Sequence, residues 1–140
     1  MRIAIAALIV VLAIGIGVLP QFTDCQSQGR QLTLENGRQI PMKCHWTGQA
    51  ELALAVPLLA VGAMMTGTRR RETNRILAAM GVILGVFVML LPTSLIGVCG
   101  SAEMICNSTM KPALLFMGAL VIAASLVGLV RSERANYDLP

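Results

Sequence analysis

Four uncharged apolar runs, separated by short blocks that hold the charge, leave this chain few folds to choose from. They are residues 3–19, 52–68, 76–91 and 112–130. At ~1.5 Å per residue a helix of such length reaches across most of a ~30 Å hydrocarbon core. With 56% of the 140 residues hydrophobic and only 13% charged, the composition also argues against an ordinary soluble domain. The sequence therefore predicts an all-α membrane protein, with four transmembrane helices in one domain over residues 1–140.

The net charge of +4 could suit a nucleic-acid binder. Its placement says otherwise: Arg69, Arg70, Arg71 and Arg75 lie between two apolar runs, where they read as topology determinants. The first run could be the core of a secretory signal, but no small-x-small cleavage site follows, and Thr23-Asp24-Cys25 lacks a lipoprotein box. It is read as a retained helix ended by Pro20. The second helix is expected to enter near Gln49, with Pro57 inside it, and the third to continue irregularly past Pro92 towards Val98. Pro112 falls in the first turn of the fourth, where its missing N–H costs little. No ionisable side chain is expected mid-span.

The chain also repeats itself. Met42-Lys-Cys-His-Trp-Thr47 and Met104-Ile-Cys-Asn-Ser-Thr109 share a Met-x-Cys-x-x-Thr frame. Each is preceded by an apolar run ending in Leu-Pro and then by a further cysteine, Cys25 or Cys99. Two parallel helix–loop–helix units follow, about residues 1–71 and 75–134, with a tail over 131–140. In the first loop Gln31-Leu-Thr-Leu-Glu35, Asn36-Gly37 and Arg38-Gln-Ile-Pro-Met42 predict a β-hairpin on a type I′ turn, with Glu35 opposite Arg38. Leu32 and Leu34 share one face and could meet a partner. Gly81 and Gly85 form a Gly-x-x-x-Gly face suited to close helix contact.

Arg2, Arg69, Arg70, Arg71, Arg75, Arg131 and Arg134 gather on one side; Arg30, Arg38, Lys43 and Lys111 lie on the other, offset by Asp24, Glu35, Glu51 and Glu103. The positive-inside rule makes the first side cytoplasmic, with both termini, and puts the cysteine loops outside. Thiols there tend to be oxidised. The repeat favours within-loop bridges, Cys25–Cys44 and Cys99–Cys106, with Thr47 and Thr109 capping the helices that follow. Two other chemistries fit the same residues. Met42, Cys44, His45, Met104 and Cys106 form a soft-ligand set suited to Cu(I), and the four cysteines could act as a thiol–disulfide relay. His45-Trp46 reads as an interfacial anchor, Glu51 as a group complementing the start of the second helix, and Asn107-Ser-Thr109 as a sequon too close to the fourth helix to matter.

The four short helices and the Met42-Lys-Cys-His-Trp-Thr47 stretch entering the second one resemble a family of small bacterial membrane proteins whose domain has no assigned function. That resemblance implies an accessory-sized protein of the bacterial plasma membrane, loosely associated with export-type ABC transporters, and carries over no catalytic residue. The function expected is non-enzymatic and without a cofactor: an accessory or scaffold subunit with a disulfide-stapled outer cap, in contact with the lipid bilayer and other membrane subunits. The alternative is extracytoplasmic thiol-redox or copper handling.

Overall fold

The computed structural model describes residues 2–137. Each apolar run forms a helix, and each helix outruns it: α1 covers Arg2–Thr23, α2 Lys43–Gly67, α3 Arg71–Leu90 and α4 Lys111–Tyr137. All four are long and apolar enough to cross a membrane. α1 packs chiefly on α2 and α3 on α4, while α2–α3 and α1–α4 contacts close the bundle. Ile9, Ile16, Leu58, Val88, Leu114 and Val121 fill the core. The outward faces are apolar as well, with Val11, Ile14, Val56, Ile83 and Phe116 all at least half exposed. Helices apolar on every side are at home in lipid.

Pro20 does not stop its helix where the sequence suggested, whereas the irregular continuation expected past Pro92 is found as far as Leu95. α1 runs one turn beyond Pro20, which is buried beside Gly48; a Cβ at Gly48 would stand 3.2 Å from that of Pro20. Thr23 Oγ1 donates to Leu19 O at 2.9 Å in the last turn. α3 passes into a single π-helical turn, Leu91–Leu95, with Pro92 buried inside it. The N–H groups of Ile96 and Gly97 both return to Leu91 O, and Gly97, at φ +78°, ends the helix in the left-handed region. A second π-helical turn, Cys106–Met110, precedes α4.

α2 starts at Lys43 rather than near Gln49, on an extended Met42 that makes no side-chain cap bond. Its first turn is held by burial of Cys44 and Thr47. One consequence is that Glu51 becomes the ninth residue of the helix, fully buried, rather than a group at its start.

The hairpin is small: β1 (Leu32–Thr33) pairs antiparallel with β2 (Gln39–Ile40). Leu32 lies opposite Ile40 and Thr33 opposite Gln39, one residue out of the expected register. Gly37 is at φ +74° and Asn36 is not positive, which excludes the type I′ turn. Leu34 N bonds Arg38 O, so three residues form the loop, with Gly37 taking the left-handed position of a bulge.

Gly81 and Gly85 serve this chain rather than another. A Cβ on Gly81 would collide with Ser125, and one on Gly85 would meet Ile122 at 2.8 Å and Gly118 O at 3.3 Å. The glycine face is used up in bringing α3 against α4.

Candidate thiol centre

Every helix brings one cysteine to the same end of the bundle. Cys25 lies two residues beyond α1, Cys44 is the second residue of α2, Cys99 follows the π-turn of α3, and Cys106 opens the π-turn that leads into α4. Their four sulfurs lie within 4.8 Å of one another. Cys25, Cys44 and Cys106 are at most 2% exposed, while Cys99 is half-buried.

Local chemistry places each one. After α1 the chain turns on Asp24, whose Oδ1 accepts from Ser27 N at 2.7 Å, while Ser27 Oγ donates to the carbonyls of Phe22 and Asp24. Arg30 N then donates to Cys25 O, across a Gly29 at φ +70°. The Cys99 segment is drawn in by Thr47, whose Oγ1 donates to Gly97 O at 2.7 Å. Thr47 thus ties α2 to the end of α3 instead of capping its own helix. Thr109, its counterpart in the repeated motif, is exposed.

The shortest sulfur–sulfur separations run between the two loops. Cys25 Sγ is 2.6 Å from Cys106 Sγ, and Cys99 Sγ is 3.6 Å from Cys44 Sγ and 3.8 Å from Cys25 Sγ. No pair stands at the ~2.05 Å of a disulfide, and all four thiols are free. The within-loop bridges Cys25–Cys44 and Cys99–Cys106 are therefore absent: the loops interleave, and each cysteine of one loop meets one from the other. Met42 extends the cluster, with Sδ 3.9 Å from Cys99 Sγ. Met104 packs beside it and, with Cys25, lines a cavity of about 80 Å³ with Arg30 and Glu103 at its rim.

Of the soft-ligand set read from sequence, Met42, Cys44 and Cys106 come together and Met104 is adjacent. His45 is engaged elsewhere: its Nδ1 lies 3.1 Å from Asp24 Oδ2, and its ring meets Trp46 edge-on at 5.9 Å. Trp46 itself is exposed. Burial, followed by the neighbouring Cys106 and Cys44 thiols, pushes the Cys25 thiol well above its ordinary range. At neutral pH it holds its proton until something replaces it.

Glu51 was missed. It shares the inner face of α2 with Cys44 and Thr47, at helical spacings of three and four residues, and both its carboxylate oxygens lack a hydrogen-bond partner among the described residues. The signal was present in the Cys44–Thr47–Glu51 spacing but needed the right helix start. Leu32 and Leu34 are both exposed on the hairpin.

Four thiols at these separations suit a tetrahedral soft ion. With metal–sulfur bonds of about 2.3 Å, such a site has sulfur–sulfur edges of about 3.8 Å. The 3.6 and 3.8 Å edges match that value, and the 2.6 Å edge would open by about 1 Å.

A family model described as "Domain of unknown function (DUF4418)" matches residues 3–131. No curated protein and no solved structure matches the chain.

Proposed function

We propose that this chain, which belongs to the DUF4418 family, is a non-enzymatic four-span membrane protein whose four cysteines bind one soft d10 metal ion outside the cytoplasm. The observation that carries the reading is the convergence of Cys25, Cys44, Cys99 and Cys106, one from each helix end, within 4.8 Å. Cu(I) and Zn(II) both accept four sulfurs without a directional preference, and the nearby Met42 thioether favours Cu(I). The cavity beside Cys25, about 80 Å³, is of a size for ions and water rather than an organic substrate. That supports binding over catalysis.

The orientation rests on charge. Arg2, Arg69, Arg71 and Arg131 lie at the end opposite the cysteines, and the positive-inside rule makes that end cytoplasmic. Membrane-impermeant cysteine labels should reach positions near Asn36 and Ala102 from outside, and positions near Arg70 only after permeabilisation. Labelling near Arg70 in intact cells reverses the assignment. The hairpin, with Leu32, Leu34 and Ile40 exposed, suits docking on a partner subunit, and the family resemblance makes an export-type ABC transporter the first candidate.

The metal reading is tested on protein purified anaerobically with four thiols counted per chain. One equivalent of Cu(I) or Zn(II) should bind with displacement of thiol protons, and any single Cys→Ser change should weaken it. Fully reduced protein that takes up neither ion overturns the reading. A thiol–disulfide relay is the second reading, favoured by the 2.6 Å approach of Cys25 and Cys106. It predicts a readily reversible bridge in metal-free protein, which a partner dithiol reduces by exchange: two electrons and two protons pass from the dithiol to the Cys25 and Cys106 sulfurs as the partner's own disulfide forms.

A further inference from the structure

The four sulfurs of the thiol centre are not equally open. Cys25, Cys44 and Cys106 are at most 2% exposed, each on or beside a helix end. Cys99 is half-buried, on the irregular segment between the π-turn that ends α3 and the one that precedes α4. The chain beyond it is open: a Cβ added at Gly100 would meet nothing within 4 Å, and Ser101, Ala102 and Glu103 are exposed. An ion arriving from outside the bundle meets Cys99 before the other thiols.

Cys99 does not stand alone there. The Met42 thioether, also half-buried, lies with Sδ 3.9 Å from Cys99 Sγ, on the extended residue that leads into α2. From Cys99 the next sulfurs are Cys44 at 3.6 Å and Cys25 at 3.8 Å, and Cys106 is 2.6 Å from Cys25. The five sulfurs make a path whose every step is under 4 Å, from a half-buried thioether and thiol to three buried thiols. Met104, the counterpart of Met42 in the repeated motif, lines the small cavity beside Cys25 instead.

We propose that Met42 Sδ and Cys99 Sγ form the mouth of the site, a two-sulfur station that captures Cu(I) before it passes to Cys44, Cys25 and Cys106. The proposal rests on the metal reading of the thiol centre and adds to it a route and a choice of ion. A thioether is neutral and soft and has no proton to lose, so it takes Cu(I) before any thiol has ionised. The usual ligands of Zn(II) are thiolate, imidazole and carboxylate. As Cu(I) binds Cys99, that thiol gives its proton to water at the half-buried sulfur; the ion stays Cu(I) and no electron moves. Each later step exchanges one sulfur for the next at a single ion, and each thiol that joins releases its own proton through the same opening. Zn(II) fills the four thiols without using Met42.

The test follows uptake by the full reduced chain in detergent, without oxygen, from Cu(I)–bicinchoninate and from Zn(II)–pyridylazoresorcinol, whose colours fade as the ion leaves. Met42→Leu nearly conserves side-chain volume. It should slow Cu(I) uptake about tenfold, the lower end of what losing an outer partner costs a metal site. Final occupancy and Zn(II) uptake should not change, and Met104→Leu should leave both rates alone. No slowing by Met42→Leu, or equal slowing of the two ions, leaves that residue a merely structural role and overturns the proposal. So does slowing by Met104→Leu alone, which puts the route through the cavity beside Cys25. If Met42→Leu does not fold, the unaltered protein still decides: a limiting amount of a small uncharged alkylating agent should modify Cys99 ahead of the other three cysteines. Peptide mapping that finds Cys25, Cys44 or Cys106 modified first overturns the mouth. Unaltered protein that takes up neither ion overturns instead the metal reading beneath it.

Discussion

Thr47 on α2 donates its hydroxyl to the carbonyl oxygen of Gly97, fifty residues further on, at 2.7 Å. That bond joins the two halves of the chain at the level of the sulfurs, and its counterpart residue, Thr109, is exposed. Thr47→Ala should therefore destabilise the protein by about 1–3 kcal/mol, because it strands a partner in an apolar setting. Thr109→Ala should stay within about ±0.5 kcal/mol. Reversible denaturation in a fixed detergent measures both. Equal losses would restore the symmetric capping expected from the repeat.

Mild oxidation of metal-free protein should link Cys25 to Cys106 and Cys44 to Cys99. The pairing follows from the two shortest separations that use each sulfur once, 2.6 and 3.6 Å. Peptide mapping without reduction reads it directly. Recovery of Cys25–Cys44 and Cys99–Cys106 peptides would show that the loops part before they oxidise.

Burial holds the Cys25 thiol above its ordinary range, so its contribution to stability has a defined direction with pH. Below about pH 8.5 the thiol is protonated both folded and unfolded. Above that, the unfolded chain loses the proton while folded Cys25 keeps it, so the folded state binds more protons and stability falls as pH rises. The denaturation midpoint of metal-free protein should drop between roughly pH 8.5 and 10.5, and Cys25→Ser should flatten the slope. A midpoint insensitive to that range contradicts the burial argument.

Glu51 is fully buried with neither oxygen satisfied among the described residues. Glu51→Met keeps the volume and removes an unpartnered polar group, so thermal stability should rise by about 1–3 kcal/mol. Metal uptake is measured on the same sample. A stable variant that still fills its thiol site assigns Glu51 no part in loading, whereas a stable variant that loads slowly gives the carboxyl a role two turns beneath the sulfurs.

The helices were legible because uncharged runs of that length have few other fates, and the positions of the cysteines followed from where the runs stop. The pairing of the sulfurs was not legible. Sequence repetition suggested that each loop closes on itself, but Thr47 pulls the Gly97 segment across to α2, and a contact fifty residues long leaves no local pattern. The start of α2 was misread because Met42 lacks a capping side chain and the first turn depends on burial. That error alone moved Glu51 from a helix end to the interior. The hairpin register slipped by one because Asn-Gly serves both the two-residue turn and the three-residue turn with a bulge, and only the backbone angle of Asn36 separates them.

One sulfur per helix has a mechanical consequence. An ion held there fastens four rods at a single joint, so that end cannot spread, and relative motion is left to the far end. There α2 and α3 stay coupled through the three residues 68–70, whereas α1 and α4 share no link. The bundle resembles tongs gripped at the sulfurs, its jaws α1 and α4 held at the far end by packing rather than by a chain connection, where Arg2 and Arg131 line the same cavity. Filling the joint should stiffen the grip, and the jaws would register it.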